Sequence, residues 1–480
     1  MLYDYTSATP DGIEAIVDRA IDEADALVAR VVTERLPRTF ENTMAPLETA
    51  GTIIGDAYGQ SPFMARVHPD KAVRDRAAML EERVAKWGTD LIFRDDLYES
   101  IREYAESDDA GRLQGTQARL VDFWMRDFRR AGHGLSNEDQ AELKQLQQRL
   151  IELQVEYSKN LDEWKDHIDV SRADLSGLPD EYIAGLEEGE SPGTFSVGMA
   201  YPEYVPFIEQ ASRRDLRKAL QFKFWNRAAE ANMPLLSEAV ELRRRMAGIY
   251  GLPTWAHHAM EVKMAKNPEA VQDFYSSIVP GLQEKAATDI AAMTAMLRSD
   301  GADLSESVGG DRLQSWDSNY YTTELRKRDY GIDQNEVARY FPLEQVVAGM
   351  FEITGDVFDL EYRRVDDAAA WHDDVSLYEI RNRGEAAPIA HFYADLFPRE
   401  GKFGHAAAFP LVTGQLLEDG TYRKPVAAIV ANFTKPTESS PSLLKHDEAL
   451  TLFHEFGHIL HFCLTTVDLR HFAGFDTEWD

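Results

Sequence analysis

Leu450-Thr451-Leu452-Phe453-His454-Glu455-Phe456-Gly457-His458-Ile459-Leu460-His461 is the stretch on which the reading turns. His454 and His458 are four residues apart, so on a helix both imidazoles lie on one face about one turn apart, close enough to hold a single zinc ion. Glu455, next to the first of them, is placed to take a proton from a water on that metal. Leu450, Leu452, Phe453, Phe456, Ile459, Leu460 and Phe462 make the segment apolar nearly all round, which predicts a buried helix. Two histidines and a glutamate on such a helix need partners, and a metal supplies them most simply. A core helix whose histidines bond backbone carbonyls is the plainer alternative.

The His-Glu-x-x-His order is the signature of zinc peptidases. Metal coordination lowers the pKa of a water toward about 7 and polarises the scissile carbonyl, and Glu455 then carries the proton to the leaving amine. Eight of the 13 histidines (His372, His391, His405, His446, His454, His458, His461 and His471) fall after residue 370, so the chemistry is expected in that part of the chain. His461, three past His458, points in a different direction from the pair and reads as a packed histidine or one that supports a ligand. Asp447, seven before His454, is either a carboxylate supporting that ligand or a charge at a helix start. His257 and His258 read as a surface pair on different faces, and Cys463 as an inert core thiol.

Outward from this segment the rhythm is helical. Leu143, Leu146, Leu150, Leu153, Tyr157, Leu161 and Trp164 draw one apolar stripe at spacings of three and four, with Ser136 or Asn137 as cap and Gln140 in capping-box position. A second long helix is predicted over 212–250, stopped by Gly251 and Pro253. The Gly189-Glu190-Ser191-Pro192-Gly193 run and the polar 299–311 segment read as loops, the first as a separator of two lobes. After Asp374, short β-branched and aromatic runs at 375–380, 389–396 and 426–433 predict a small sheet before the last helix. The expectation is a mainly α, two-lobed chain, with an N-terminal helical region over 1–200 and a catalytic region over 210–480.

Composition narrows the partners. At 480 residues, with 44% hydrophobic and 28% charged residues, the chain is long enough for more than one core and is neither disordered nor fibrous. Its net charge of −32 repels nucleic acid and anionic membranes. One cysteine excludes an internal disulfide and suits a reducing compartment; the N-terminus shows no signal-peptide pattern, and no apolar run approaches the ~20 residues of a membrane-spanning helix. The cytoplasm is the expected location.

The residues around the motif also carry a resemblance. Ser442-Leu443-Leu444-Lys445-His446-Asp447-Glu448 followed by Phe453-His454-Glu455-Phe456-Gly457-His458 resembles the active-site helix of the M3 metallopeptidases, the group of thimet oligopeptidase, oligopeptidase A and dipeptidyl carboxypeptidase. Tyr393-Ala394-Asp395-Leu396, Arg399-Glu400-Gly401-Lys402, Gly404-His405-Ala406 and Asn432-Phe433-Thr434-Lys435-Pro436 are similar to the segments preceding that helix. Lys263-Met264-Ala265-Lys266, Trp316-Asp317, Tyr320-Tyr321 and Tyr340-Phe341-Pro342-Leu343 extend the likeness upstream. The resemblance implies a two-lobed helical ellipsoid with a deep channel and one zinc ion on His454 and His458. It implies Glu455 as general base and short unstructured peptides as substrates of a monomeric endopeptidase. It also implies that the strand over 426–433 lies along the substrate backbone.

The third ligand is where the sequence departs from that pattern. In this family it is a glutamate about 25 residues past the second histidine, and Asp480 is only 22 past His458. The expectation is therefore an N-terminal portion of a longer enzyme, lacking that glutamate and the transition-state groups beyond it. Glu478 is the fallback, since nineteen residues separate it from His458, the interval of thermolysin-like enzymes. A third histidine at metzincin spacing would fall on Leu464, which excludes that class. A non-catalytic peptide-binding or scaffolding protein that keeps the helix with an incomplete site is the alternative function.

Overall fold

The structure is a computed structural model, described for residues 2–301, 312–437 and 440–475. The chain is mainly helical with small sheets. The N-terminal helices follow the rules of amphipathic packing. Pro10–Thr33 opens with the Thr9 hydroxyl accepting from the Gly12 amide and with proline in its first turn, and buries Ile13, Val17, Ala20, Ala24, Val28 and Val31 along one stripe. It packs against the Ala45–Gln60 and Lys71–Ile92 helices.

Ala45–Gln60 carries glycines at 51, 55 and 59 on one face, and each admits a close neighbour. A Cβ at Gly59 would lie 2.3 Å from the Leu411 carbonyl oxygen, and Cβ atoms at Gly51 and Gly55 would meet the Arg470 guanidinium at 3.1 and 3.4 Å. The strand and the turn that follow in the C-terminal part thus rest on a bare helix surface.

The stripe that starts at Leu143 is a helix, Asn137–Asp162, and its Leu143, Leu146 and Leu153 pack with Leu242 and Met246 of the Ala229–Ile249 helix. Ser136 is its cap, accepting from the Asp139 amide at 3.1 Å. Gln140 does not complete a box; its side-chain amide turns back to the His133 ring at 3.1 Å. The long helix expected over 212–250 is two helices, Arg214–Trp225 and Ala229–Ile249. Ala228, at φ 51°, takes the left-handed conformation between them and turns the axis, which a Cβ-bearing residue does only under tertiary constraint. The stop at Gly251 holds, with φ 67° and the Leu252 amide bonded to the Ala247 carbonyl at 2.9 Å.

Strands β1 (His167–Ser171), β2 (Glu187–Glu188) and β3 (Thr194–Gly198) form an antiparallel sheet in the order β1-β3-β2. The Gly189–Gly193 run closes the β2–β3 hairpin, so it lies within one sheet and does not separate lobes. Most of the predicted 299–311 loop lies outside the described residues; Ser299 ends the Pro268–Ser299 helix.

The sheet predicted near the last helix has five strands, β4 (Leu360–Val365), β5 (Ser376–Asn382), β6 (Ala390–Asp395), β7 (Ala407–Val412) and β10 (Val426–Val430), in the order β4-β5-β6-β10-β7. The two-residue strands β8 (Gln415–Leu416) and β9 (Tyr422–Arg423) pair apart from it. β10 runs parallel to β6 and antiparallel to β7. Its period of two divides the core. Val426, Ala428 and Val430 join Tyr5, Ile13, Phe63 and Trp371 under the N-terminal helices, and Ala427, Ile429 and Ala431 join Phe456, Ile459 and Leu460 of the last helix. A strand covered on both faces needs the unbroken apolar run that its sequence has.

Candidate active site

The last helix is His446–Cys463. Its first turn is fixed by the Lys445 amide donating to the Glu448 carboxylate at 2.7 Å and by the Lys445 ammonium on Glu209 of the Tyr201–Gln210 helix at 2.5 Å. Ala449, Leu452, Phe456, Ile459, Leu460, Phe462 and Cys463 are buried, whereas Leu450, Phe453, His454, Gly457, His458 and His461 are exposed. The expected all-round burial is thus corrected to one buried face. Alternating layers supply apolar neighbours only toward the sheet, and the histidine side looks outward.

On that outward side His454 and His458 bring their Nε2 atoms within 3.2 Å, with the rings nearly perpendicular. Two nitrogens bound tetrahedrally to one zinc at 2.0–2.1 Å stand about 3.3 Å apart, so the pair has the separation of one edge of such a site. Glu455 is half-buried between this face and the sheet, and no described residue hydrogen-bonds its carboxylate. Helical geometry puts it about 60° around the axis from His458 and about 100° from His454, on the flank of the pair. Among the described residues, no group of three or more His, Cys, Asp or Glu side chains converges as a metal cage. Glu478 lies outside the described residues. Phe475 sets its ring edge-on to His458 at 5.9 Å and packs on Phe462. Gly474 makes that return possible: at φ 67°, a Cβ there would fall 2.1 Å from the Phe462 ring.

Other candidates resolve differently. His461 is exposed, not packed, because its side of the helix faces away from the sheet. Asp447 is exposed in the first turn with His446 beside it at 3.5 Å, a charge at a helix start. Cys463 is fully buried against the His391 carbonyl, and burial pushes its thiol well above the ordinary range, which leaves it inert. His257 and His258 are not a surface pair. His257 meets Glu269 at 3.2 Å, while His258 is buried, stacked on Tyr250 at 4.4 Å, with burial and then Arg130 lowering its pKa to about 4. Neighbouring Trp255 and Tyr250 close over it, a tertiary effect that local spacing does not encode.

The strand expected along the substrate is also refined. Val426–Val430 is paired on both sides and has no free edge. Beyond it β7 has ended, while the Ala431 and Phe433 amides still bond the Asp395 and Leu396 carbonyls at 2.8 and 2.9 Å. By the alternation of a strand, the backbone amide and carbonyl of Asn432 point to the opposite, open side, and neither has a partner among the described residues. The Asn432 side chain spans to the Phe403 and His405 carbonyls at 3.0 and 3.2 Å.

Two buried charge clusters escaped the residue-by-residue reading although both lie in segments it singled out. Asp395, Arg399 and Lys402 form one at the strand ends; Asp317, fully buried, forms the other with Arg214 at 2.8 Å and Arg217 at 3.4 Å, Arg217 lying over the Tyr320 ring. A charged residue amid apolar strand residues, as Asp395 is after Tyr393 and Ala394, was the available signal.

The sequence profile of peptidase family M3 matches residues 207–480. A thimet-like oligopeptidase of Dictyostelium discoideum is 31% identical over 458 residues, covering 92% of this chain and 67% of its own length. Oligopeptidase A of Salmonella typhimurium is 27% identical over 492 residues, 99% of this chain and 71% of its own. Among solved structures, PZ peptidase A with inhibitor 2 aligns with 96% of this chain and 64% of its own at a TM-score of 0.46 and 13% identity. The chain thus spans roughly two thirds of the length of these proteins.

Proposed function

Because this chain belongs to peptidase family M3, we propose that it is a zinc-dependent metalloendopeptidase of short oligopeptides, with His454 and His458 as metal ligands and Glu455 as general base. The observation that carries the reading is the 3.2 Å approach of the two Nε2 atoms on the outward face of the His446–Cys463 helix, with Glu455 on its flank. Zinc held there would lower the pKa of a water toward about 7 and polarise the scissile carbonyl. Glu455 takes the proton of the attacking water and delivers it to the leaving amine; a half-buried carboxylate beside the ligands, hydrogen-bonded by no described residue, is free to swing between the two. His454 and His458 must be neutral at Nε2 to ligate, and the sheet behind the helix fixes which way their face looks through Phe456 and Ile459.

The open backbone of Asn432 offers an extended peptide one amide and one carbonyl, the pairing of a strand added to an edge. Within this sequence Glu478, nineteen residues past His458, is the fallback for the third ligand. A two-lobed body with a channel, an N-terminal region over 1–200 and a catalytic region over 210–480, a monomeric state and a cytoplasmic location complete the proposal. No helix among the described residues is long and apolar enough to cross a membrane.

The test, run on a parent protein that also carries the third zinc ligand, is zinc stoichiometry by mass spectrometry together with hydrolysis of an internally quenched nonapeptide. Glu455→Gln should keep its zinc and lose about 10²–10⁴-fold in rate, whereas His454→Ala should lose metal and turnover together. A Glu455→Gln protein that keeps more than about a tenth of the parent rate refutes the role of Glu455. A parent chain that binds the peptide and never cleaves it, with or without added zinc, establishes the non-catalytic peptide-binding alternative.

A further inference from the structure

Where β6 and β10 end, a fully buried lysine packs against both strand ends. The Lys402 ammonium shares its three N–H donors among four oxygens: the Asp395 carboxylate at 2.7 Å, and the carbonyls of Asp395, Phe397 and Ala431 at 2.9, 2.7 and 2.6 Å. Neither the Lys402 nor the Asp395 side chain has any exposed surface. Asp395 is itself held by Arg399 at 2.6 and 2.7 Å and by the Trp371 indole at 2.8 Å, and Arg399 reaches the Val67 carbonyl in the N-terminal helical layer. Gly401, at φ 70°, makes the turn that brings the lysine back; a Cβ there would strike the Arg74 guanidinium at 2.2 Å.

Burying a full charge here is unfavourable unless every donor is used, and burial lowers the Lys402 pKa to about 8 even against the pull of Asp395. A neutral packing of apolar residues would stabilise the strand ends as well or better. The charge is explained by what it holds: the Ala431 carbonyl, on the residue before Asn432, which no sheet neighbour engages.

We infer that Lys402, with Asp395 as its counter-charge, is a positioning residue that keeps residues 431–433 extended so that the Asn432 backbone presents its amide and carbonyl to a peptide. The inference rests on the peptidase reading for the identity of that peptide. Lys402 touches neither the substrate nor the metal ligands. Its loss therefore weakens substrate binding and leaves the chemical step nearly intact, a rise in KM with kcat little changed.

The experiment compares the same parent protein, third zinc ligand included, with its Lys402→Met variant and with the charge-free pair Asp395→Asn/Lys402→Met, which removes the buried charge should the single variant fail to fold. Three quantities are read: zinc content, KM and kcat for the quenched nonapeptide, and amide exchange over residues 426–437 with and without that peptide. The expected result is a KM raised about tenfold or more, as suits the loss of a charged hydrogen bond, with kcat within about threefold and zinc unchanged. Exchange at 431–433 should quicken while the His446–Cys463 helix stays protected. In the parent chain, the nonapeptide should slow exchange of the Asn432 amide; if it binds without doing so, the inference is wrong whatever the variants do. An unchanged KM, or a fall in kcat at constant KM, in either folded variant also overturns it. A parent chain that takes no zinc and cleaves no peptide refutes the peptidase reading instead. In that case the lysine's hold on 431–433 is judged by exchange alone, and unaltered exchange in the variants overturns it.

Discussion

Two helices of similar apolar content meet opposite fates in this molecule. His446–Cys463 buries seven residues against the sheet, whereas Pro268–Ser299, almost twice as long, buries only Leu297 among its described neighbours. Phe274, Tyr275, Ile278, Val279, Leu282 and Ile290 stand exposed along the longer helix. The difference teaches that periodicity specifies a helix and its apolar stripe but not what covers the stripe. Only tertiary partners decide that, and the five-stranded sheet supplies them to one helix and not to the other.

The largest effect that sharpens this contrast is expected at Phe456, which is 1% exposed and packs on Phe351, Tyr362 and Phe392. Phe456→Ala should lose about 3–5 kcal/mol in chemical denaturation, and Phe274→Ala, at a ring 58% exposed, less than about 0.5 kcal/mol. Comparable losses at the two sites would break the comparison, because they would mean that the Pro268–Ser299 helix is covered in solution.

Glycines extend the comparison to the backbone. Gly59→Ala drives a methyl into the Leu411 carbonyl and should destabilise by about 1–3 kcal/mol. Gly281→Ala, with no atom within 4 Å, should instead stabilise by about 0.5–1 kcal/mol through helix propensity. Thermal melts of the two variants must move in opposite directions.

His258 gives a pH test of burial in the helical part. Its folded pKa, about 4, lies below the ordinary value of 6.5, so between those values the unfolded chain binds more protons and stability falls as pH falls. His258→Gln should flatten the stability profile between pH 6.5 and 4 relative to the parent; an identical slope would show that His258 is accessible. The smallest change is expected from Phe274→Ser with Leu282→Ser, which should leave the melting temperature nearly unchanged and lessen self-association in light scattering.

The elements that sequence made legible are those fixed by local rules. The Asn137–Asp162 helix announces itself through leucines at 143, 146 and 153, and β10 through an unbroken run of apolar residues. The helix break at Ala228 was hidden because no glycine or proline marks it; the left-handed residue is held by packing. The 3.2 Å histidine pair follows from the i,i+4 spacing, but the outward aspect of its helix does not. The same apolar count fits a helix buried on one side or on all sides, and the sheet's position decides. The Lys402 clamp was invisible for a related reason: lysine and aspartate seven residues apart have no periodic meaning until a strand end and a turn bring them together.

The parallel pairing of β6 with β10 has a consequence for how the chain folds. β5 and β6 are joined by seven residues, 383–389, but β10 reaches β6 only after the thirty residues 396–425 have looped out to build β7 and return. Closing the longer loop carries an entropic penalty larger by about 1.3 kcal/mol, with no local contacts to repay it early. The antiparallel hairpins can zip first, and the central strand must insert between β6 and β7 afterwards, a non-local step of the kind that slows folding. During that interval the apolar residues of β10 and of the helix after it have no sheet to cover them, which makes this the stage at which the nascent chain is most prone to aggregate.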